Sequence, residues 1–420
     1  MHALPYWRLS GYYFFYFAFV GAFSPYFGLY LQSLSFSAWD IGLLMSQMQL
    51  MRLCAPFLWG ALADHLAQRM AVVRLAALLS LIGFAGFFAV QGFVPVLLAM
   101  ALLAFFWSAA LPLVETVTFD HLRDQSGRYS RIRLWGSIGF ILAVMATGAL
   151  LDELPLPSLL WVIVGTLAGI LIYALAIPEA PMHGYAEEPV PVATVIRQVH
   201  VKALFAACFA MSAAHGALYV FYSIHLSDHH YSKLLVGCLW SLGVLAEIVV
   251  FFFMVGLLHR FGLRTILLVS FAAAAVRFLM IGWGVEWLPV IVLAQLLHGL
   301  TFGAYHAAAI AAVNRWFPGR CQARGQALYS SVSFGAGGLV GGLLSGWTWE
   351  HLGAALTFSL SSAFALVGLI FVALWVNRAD LDDAGQKATL RVPAPALQPP
   401  QTSGRSDGQL FADSDDSAVT

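Results

Sequence analysis

Long apolar runs alternate with short polar connections along most of the chain. A run of about 18 or more apolar residues can cross the hydrocarbon core of a bilayer as a helix. Twelve runs meet this length: residues 10–33, 40–62, 71–90, 94–118, 131–152, 157–178, 199–226, 232–257, 264–284, 287–313, 322–347 and 352–376. The pattern therefore predicts an all-α polytopic membrane protein with twelve transmembrane helices.

The composition and the positions of the basic residues extend this prediction. The chain is 60% hydrophobic and 10% charged, unlike a soluble globular protein. With the N-terminus inside, all but three of the 21 Lys and Arg residues lie in or beside inner loops and the termini; the exceptions are Arg52, Lys233 and Arg277. This asymmetry follows the positive-inside rule. We expect a multi-pass protein of a bacterial-type inner membrane, with both termini cytoplasmic.

The two halves of the chain resemble each other. Residues 21–31 align with 216–226 at an offset of 195. Duplicated transporters place their binding sites near the midplane, between the repeats. The pattern predicts the following organisation: six-helix bundles at 1–178 and 199–377, a cytoplasmic linker at 179–198, and a disordered cytoplasmic tail at 378–420, whose composition is polar.

Ionisable residues occur inside or at the edge of the apolar runs. A charge at the bilayer centre costs at least about 2.5–3.5 kcal/mol on insertion scales, so such residues commonly mark a pathway. The six are Arg52, Glu115, Arg133, Glu247, Arg277 and His298. We find no Walker loop, zincin motif or nucleophile elbow, and no metal-ligand spacing of cysteines. We therefore expect a transporter with no catalytic residue, metal, cofactor or nucleic-acid partner.

Helix geometry pairs four of these charges by depth. Glu247 and Arg277 each lie 15 residues from Gly262, the centre of the predicted turn between spans 8 and 9. Glu115 and Arg133 flank the turn between spans 4 and 5 in the same way. Opposite charges at one depth can offset the cost of burial. The pairs are therefore either structural ion pairs or parts of a polar pathway.

The loop after span 2 carries a recognisable motif. Residues 60–69, GALADHLAQR, resemble the degenerate signature of the major facilitator superfamily, with Gly60, Asp64 and Arg69 as the gate motif. The superfamily implies two six-helix bundles that alternate between inward and outward openings. In the second-half copy, the aspartate is lost near His259.

Further segments narrow the resemblance, which covers nearly all of 1–377. LWSLGVLAEIVVF at 239–251, VRFLMIG at 276–282 and LLHGLTFGAYH at 296–306 resemble the phenylpropionate permease family of proton symporters. PLVE at 112–115 and RLWGSIGF at 133–140 resemble the lactose permease. The resemblance implies a symporter driven by the proton gradient.

The lactose permease resemblance also implies residue roles. It implies substrate binding by Glu115, Arg133 and Phe140, although Arg133 could instead anchor a loop. Arg52 lies opposite Glu247 in the repeat alignment and has no obvious partner. It is expected either to bind a substrate carboxylate, which suits a planar guanidinium, or to pair with an acid elsewhere.

The proton site is expected in the second half. His298 matches the coupling histidine of the lactose permease, but Thr301 replaces the acid that follows it there. We therefore expect Glu247 to carry the proton. Burial favours the neutral carboxyl, whereas nearby Arg277 favours the carboxylate. His298 or His215 could relay the proton, and His306 lies on nearly the same helix face as His298. His215 and His306 could also be ordinary buried histidines.

These observations predict a proton symporter for a small aromatic monocarboxylate, such as 3-phenylpropionate, which works in the lipid bilayer as a monomer. Three alternatives remain open. A sugar or nucleoside symporter would share the lactose permease residues. A drug/proton antiporter would be expected to carry a Gly-Pro pair in span 5, which is absent. A non-transporting receptor would bind a solute without flux.

Overall fold

The computed structural model describes residues 4–66, 68–122, 128–180, 192–317 and 321–377. The side chains of Pro56, Asp64 and Ala323 are excluded from that description. Most of the predicted linker and the predicted tail at 378–420 lie outside the described residues.

The described chain consists of helices and their connections. The helices are α1 Tyr6–Ser33, α2 Ala38–Leu66, α3 Arg69–Ala85, α4 Phe93–Leu122, α5 Tyr129–Glu153, α6 Leu159–Ala176, α7 Val199–Asp228, α8 233–261, α9 263–283, α10 Leu288–Trp316, α11 Arg324–Leu352 and α12 Ala354–Trp375. A short helix, Val192–Ile196, precedes α7. The prediction of a twelve-helix, all-α membrane protein is confirmed.

One boundary differs from the prediction. The sequence predicts a connection between spans 8 and 9 at residues 258–263, but helix Lys233–Trp283 runs on for 51 residues and is interrupted at Gly262. There the backbone has φ 74° and ψ 161°. Glycine reaches positive φ at little cost because it has no Cβ. One glycine therefore joins α8 to α9 without a loop.

The duplication is visible in a pair of hydrogen bonds that joins the third helix to the sixth helix in each half. Arg74 of α3 donates to the carbonyl oxygens of Ala174 and Ile177, over 3.2 and 2.7 Å. Arg264 of α9 donates to those of Ala373 and Val376, over 2.9 and 2.7 Å. A helix C-terminus leaves its last carbonyls unpaired and carries partial negative charge. An arginine therefore stabilises the end of α6 and of α12 in the same way.

The halves meet closely at one end of the bundle, which we call the closed end. It carries the α1–α2, α5–α6, α7–α8 and α11–α12 connections. Here Gly42 of α2 packs on Gly346 of α11, where a Cβ on Gly42 would lie 2.8 Å from the Gly346 Cα. Gly237 of α8 packs on the carbonyl of Val144 in α5. Small residues thus let two symmetry-related helix pairs approach.

Two carboxylates hold the same helix pairs together. Asp152, in the last turn of α5, accepts hydrogen bonds from the backbone amides of Lys233 and Leu234, over 2.7 and 2.9 Å. Glu350, in the last turn of α11, accepts one from the amide of Trp39, over 2.7 Å. Helix N-termini have free N–H groups and partial positive charge. Each half thereby caps a helix of the other half.

These caps predict how the closed end opens. In a double variant, Asp152→Asn with Glu350→Gln, the negative charges are lost while the side-chain shapes are nearly kept. We expect a larger population with the closed end apart, because each cap is worth about 0.5–2 kcal/mol. The measurement is the distance distribution between spin labels on Ser33→Cys and Glu286→Cys, with the native cysteines replaced.

The neighbouring substitution Glu153→Gln is the matched control, since it removes a charge from the same helix end. It should leave the label distances unchanged. A double variant with the distance distribution of the parent protein would contradict the role of the two caps.

Candidate functional site

A cavity of about 210 Å³ lies between the two halves. Its walls come from α1, α2 and α4 of the first half and from α7, α10 and α11 of the second. The aromatic residues among them are Phe19, Phe23, Trp107, Tyr219, Phe302 and Phe334. Among the described residues that line it, Arg52 carries the only charge. The chamber is therefore lined mainly by uncharged side chains, both apolar and polar, with one cationic group.

Arg52 occupies the middle of α2 and is exposed. Its Cζ atom lies 6.0 Å from the centroid of the Trp107 ring, at the limit of a cation–π contact. Within the described part of the chain, no carboxylate forms an ion pair with it. A guanidinium can grip a carboxylate with two parallel hydrogen bonds. Arg52 therefore has its donors available for an anion in the cavity.

Trp107 was not singled out by the sequence, in which it is one of many aromatic residues. It is 5% exposed and stacks on Tyr16, with ring centroids 4.8 Å apart and planes 9° apart. This packing fixes the orientation of its ring. Only the fold shows that the ring stands beside Arg52.

The second half brings Glu247 and His298 together. Oε1 of Glu247 lies 2.7 Å from Nε2 of His298, and their side chains are 16% and 7% exposed. A neutral histidine can donate this hydrogen bond through Nε2–H, and a charged one makes an ion pair. The contact therefore persists in either state of the imidazole.

Arg277 is fully buried and is bound by neutral groups. Its Nε donates to the Ala294 carbonyl over 2.8 Å, and its Nη1 to Thr301 Oγ1 over 3.1 Å. Nη2 lies 3.4 Å from Gln295 Oε1. The sequence placed Arg277 and Glu247 at one depth, but they form no ion pair in the structure, because Glu247 binds His298. Among the described residues, no acidic side chain contacts Arg277 directly.

The hydrogen-bond partners of His215 determine its tautomer. Nδ1 lies 2.8 Å from the Met211 carbonyl oxygen, and Nε2 lies 3.4 Å from Nη1 of Arg277. A carbonyl only accepts and a guanidinium only donates. Nδ1 therefore carries the hydrogen and Nε2 accepts, so His215 is assigned as neutral from its partners.

His306 belongs to an aromatic ladder on α10. Phe302 lies between His298 and His306, with centroid distances of 5.5 and 5.9 Å and nearly parallel rings. His306 Nδ1 lies 2.8 Å from the Tyr329 hydroxyl. Both histidines thus share one face of α10 with a phenylalanine that lines the cavity.

The other residues expected to bind substrate are not among the described residues that line the cavity. Glu115 accepts a hydrogen bond from the Tyr129 hydroxyl over 3.2 Å. The Cζ atom of Arg133 lies 3.8 Å from the centroid of the Phe17 ring, and Phe140 is buried against α1. Glu115 and Arg133 form no ion pair, and none of the three is among the described lining residues of the cavity.

The gate motif is partly described. Arg69 Nη1 pairs with Asp120 Oδ2 over 2.5 Å. The backbone amides of Arg69 and Met70 each donate to the Glu179 carboxylate over 2.9 Å. Gly60 lies in α2, and the side chain of Asp64 lies outside the described residues. The sequence missed Asp120 and Glu179, because acids near helix ends are common and their partners are distant in the chain.

Three helices of the second half lose regular α-helical geometry beside the cavity. α7 breaks at His215, α10 widens into a π-helical segment at Gly299–Ala304, and α11 does so at Ser331–Gly337. Such π-segments occur frequently at functional sites. Phe302 and Phe334 lie within the two segments.

Comparison with known proteins gives consistent matches. The model of the MFS_1 like family matches residues 6–360. The "Probable 3-phenylpropionic acid transporter" of Escherichia coli (strain K12) is 28% identical over 357 residues, covering 83% of this chain and 92% of the relative. The "Maltose permease" of Geobacillus stearothermophilus is 28% identical over 385 residues, covering 87% and 93%.

A solved structure shares the fold. The crystal structure of the nucleoside transporter NupG has a TM-score of 0.75 at 18% identity, covering 89% of this chain and 99% of that one. At this identity the likeness concerns the arrangement of helices alone.

The burial of Arg277 predicts a stability effect. Arg277→Lys should lower the thermal unfolding midpoint, because an ammonium group cannot reach the several acceptors that the planar guanidinium reaches. Each buried partner left unsatisfied costs about 1–3 kcal/mol. Arg264→Lys is the control, since Arg264 also donates to two partners but is less buried. Equal losses in the two variants would show that burial of the Arg277 partners adds nothing to the cost of the substitution.

Proposed function

Because the chain belongs to the MFS_1 like family and is a secondary transporter of the major facilitator superfamily, we propose that it is a proton-coupled symporter for a small aromatic monocarboxylate. The observation that carries this proposal is the position of Arg52, the single charged group among the described walls of a cavity that also carries six aromatic residues. The substrate carboxylate binds Arg52, and its aromatic ring packs between the cavity walls.

The chemistry of the cavity favours such a solute. Aromatic rings pack well on other rings, with a gain of about 0.5–1.5 kcal/mol beyond the burial of area. A small chamber of about 210 Å³ limits the size of the solute. The similarity to the "Probable 3-phenylpropionic acid transporter" supports this substrate class. 3-Phenylpropionate is therefore the first solute to test.

Glu247 is proposed to carry the proton. It lies in the middle of α8, in contact with His298; in general, burial of a carboxyl group favours its neutral form, whereas a nearby cation favours the carboxylate. A small change in these opposing influences then loads or releases a proton. His298 holds the carboxyl and relays the proton, while His215 keeps Arg277 in place. His306 is proposed as the second histidine of the α10 ladder.

The membrane orientation proposed from the basic residues indicates which side of the membrane the closed end faces. With both termini in the cytoplasm of a bacterial-type inner membrane, the closed end faces outward. The described arrangement then corresponds to a state that is closed to the outside. Glu115, Arg133 and Phe140 keep a proposed substrate role only in another stage of the transport cycle. Gly60, Asp64 and Arg69 are proposed to act at the inner gate, and the protein to act as a monomer.

A neutral sugar or nucleoside is the second candidate substrate. The chain is as similar to a maltose permease, at 28% identity, as it is to the phenylpropionic acid transporter, which favours this candidate. A sugar needs several polar partners, and the described cavity offers Ser24, Ser46, Gln49 and Ser212 besides Arg52. Uptake of a panel of neutral solutes into proteoliposomes distinguishes the two candidates.

The carboxylate site predicts the effect of Arg52→Gln. Proteoliposomes with an inward proton gradient should accumulate labelled 3-phenylpropionate, and Arg52→Gln should reduce this uptake by at least about tenfold, because loss of a charge-assisted hydrogen bond costs roughly 1.5–3 kcal/mol. Arg131→Gln, which removes an exposed arginine at the start of α5, is the control. Wild-type uptake by Arg52→Gln would show that the carboxylate binds elsewhere.

The proton site predicts a different defect for Glu247→Gln. A glutamine resembles the protonated carboxyl and cannot release a proton. We expect gradient-driven accumulation to be lost while exchange of labelled for unlabelled solute continues. Glu286→Gln, at an exposed position between α9 and α10, controls for loss of an acid. If Glu247→Gln accumulates solute at the wild-type level, Glu247 is not the proton carrier.

A further inference from the structure

A small recess adjoins the main cavity on the side of the second half. Its volume is about 10 Å³, which is space for roughly one water-sized group. It shares four wall residues with the main cavity. Its walls carry four hydroxyl groups, those of Ser212, Tyr219, Tyr305 and Ser333. The aromatic chamber therefore has a small polar extension.

The hydroxyls of the recess retain hydrogen-bonding capacity. Ser333 Oγ and the Tyr305 hydroxyl both donate to the carbonyl of Cys208, over 3.1 and 3.4 Å. A hydroxyl has one hydrogen and two lone pairs, so both oxygens keep acceptor capacity, although both residues are buried and the Tyr329 side chain lies beside them. In the described structure, the hydroxyls of Ser212 and Tyr219 make no hydrogen bond. The recess thus offers both donors and acceptors.

The walls of the recess come partly from the irregular helix segments, and the side chain at its back, His215, has no free hydrogen-bonding group. Ser333 lies within the π-helical segment of α11, and Tyr305 directly follows that of α10. His215, at the break in α7, closes the back of the recess. Both ring nitrogens of His215 are already occupied, by Met211 and Arg277. The hydroxyls of Ser212 and Tyr219, which make no hydrogen bond within the described residues, must therefore find their partners in whatever enters from the cavity.

Tyr219 connects the recess to the charged site. Its ring lines the main cavity together with Arg52, and it also lines the recess. Phe302 and Phe334 lie on the boundary of both spaces, with ring centroids 6.3 Å apart. A ring held among these aromatic side chains would have one edge at the mouth of the recess.

We infer, on the basis of the proposed function, that the recess receives a hydroxyl group on the aromatic ring of the transported acid. The protein then selects ring-hydroxylated aryl acids over the unsubstituted acid. A substrate hydroxyl can donate to Ser333 and accept from Ser212 or Tyr219. A methyl group of similar size would leave the same wall hydroxyls unpaired, and sites built to bind a hydroxyl reject analogues that lack it.

The test is calorimetric binding to the purified full-length protein. The ligands are 3-phenylpropionate, its 4-methylphenyl analogue, and 3-(4-hydroxyphenyl)propionate with its 3-hydroxyphenyl isomer. We expect one hydroxylated acid to bind about tenfold more tightly than the unsubstituted and methylated acids, the size of effect that one net hydrogen bond gives.

Variants of the recess separate this effect from general packing. The double variant Ser212→Ala with Ser333→Ala should lose the preference while still binding 3-phenylpropionate. Tyr305 continues to satisfy the Cys208 carbonyl in that variant. Ser362→Ala is the matched control, because Ser362 is also buried and donates to a carbonyl of another helix, that of Ala275, over 2.8 Å. It should keep the preference.

The outcomes are distinct. Equal affinity for all four acids, or a preference that survives in the double variant, overturns the inference and leaves the proposed function intact. Failure of every acid to bind, together with binding of a sugar or nucleoside, overturns both. Loss of the preference in the double variant alone supports the recess as the hydroxyl site.

Discussion

The cost of a charge inside the bilayer determines how this protein is organised. A buried arginine needs acceptors, and Arg277 obtains them from neutral groups rather than from an acid. Glu247 is consequently free to bind His298 at 2.7 Å. If Arg277 and Glu247 were paired directly, each would fix the charge of the other. Their separation leaves the carboxyl group of Glu247 without a fixed cationic partner, which is the property that the proposed proton coupling requires.

The duplicated architecture relates Glu247 to Arg52, the charged residue of the cavity between the halves. Arg52 and Glu247 occupy corresponding positions in the middle of α2 and α8, so one repeat contributes the cation and the other the acid. The same helices meet α11 and α5 at the closed end, where Glu350 and Asp152 cap them across the interface. The helices that carry the charges proposed for binding and coupling are therefore also helices that form the contacts of the closed end. The proposed binding and the proposed movement would thus be linked through α2 and α8.

The sequence predicted the fold well because hydrophobic runs and basic loops directly reflect the bilayer. It also identified Arg52 and Glu247 as charges that needed an explanation. It could not predict that Glu247 binds His298 instead of Arg277, since depth along a helix does not specify rotation about its axis. Nor could it identify Trp107, because its importance depends on tertiary contacts with other helices. Residues at helix irregularities were also missed, as π-helical segments have no clear sequence pattern.

The central claim is that the solute's carboxylate binds Arg52 in the cavity between the halves. An experimental structure of the wild-type protein with 3-phenylpropionate bound tests it most directly. We expect carboxylate oxygens about 2.7–2.9 Å from the Arg52 guanidinium nitrogens, the usual distance for a charge-assisted hydrogen bond, with the phenyl ring against Phe302 and Phe334. A carboxylate bound at Arg133, or a ligand outside this cavity, would contradict the claim.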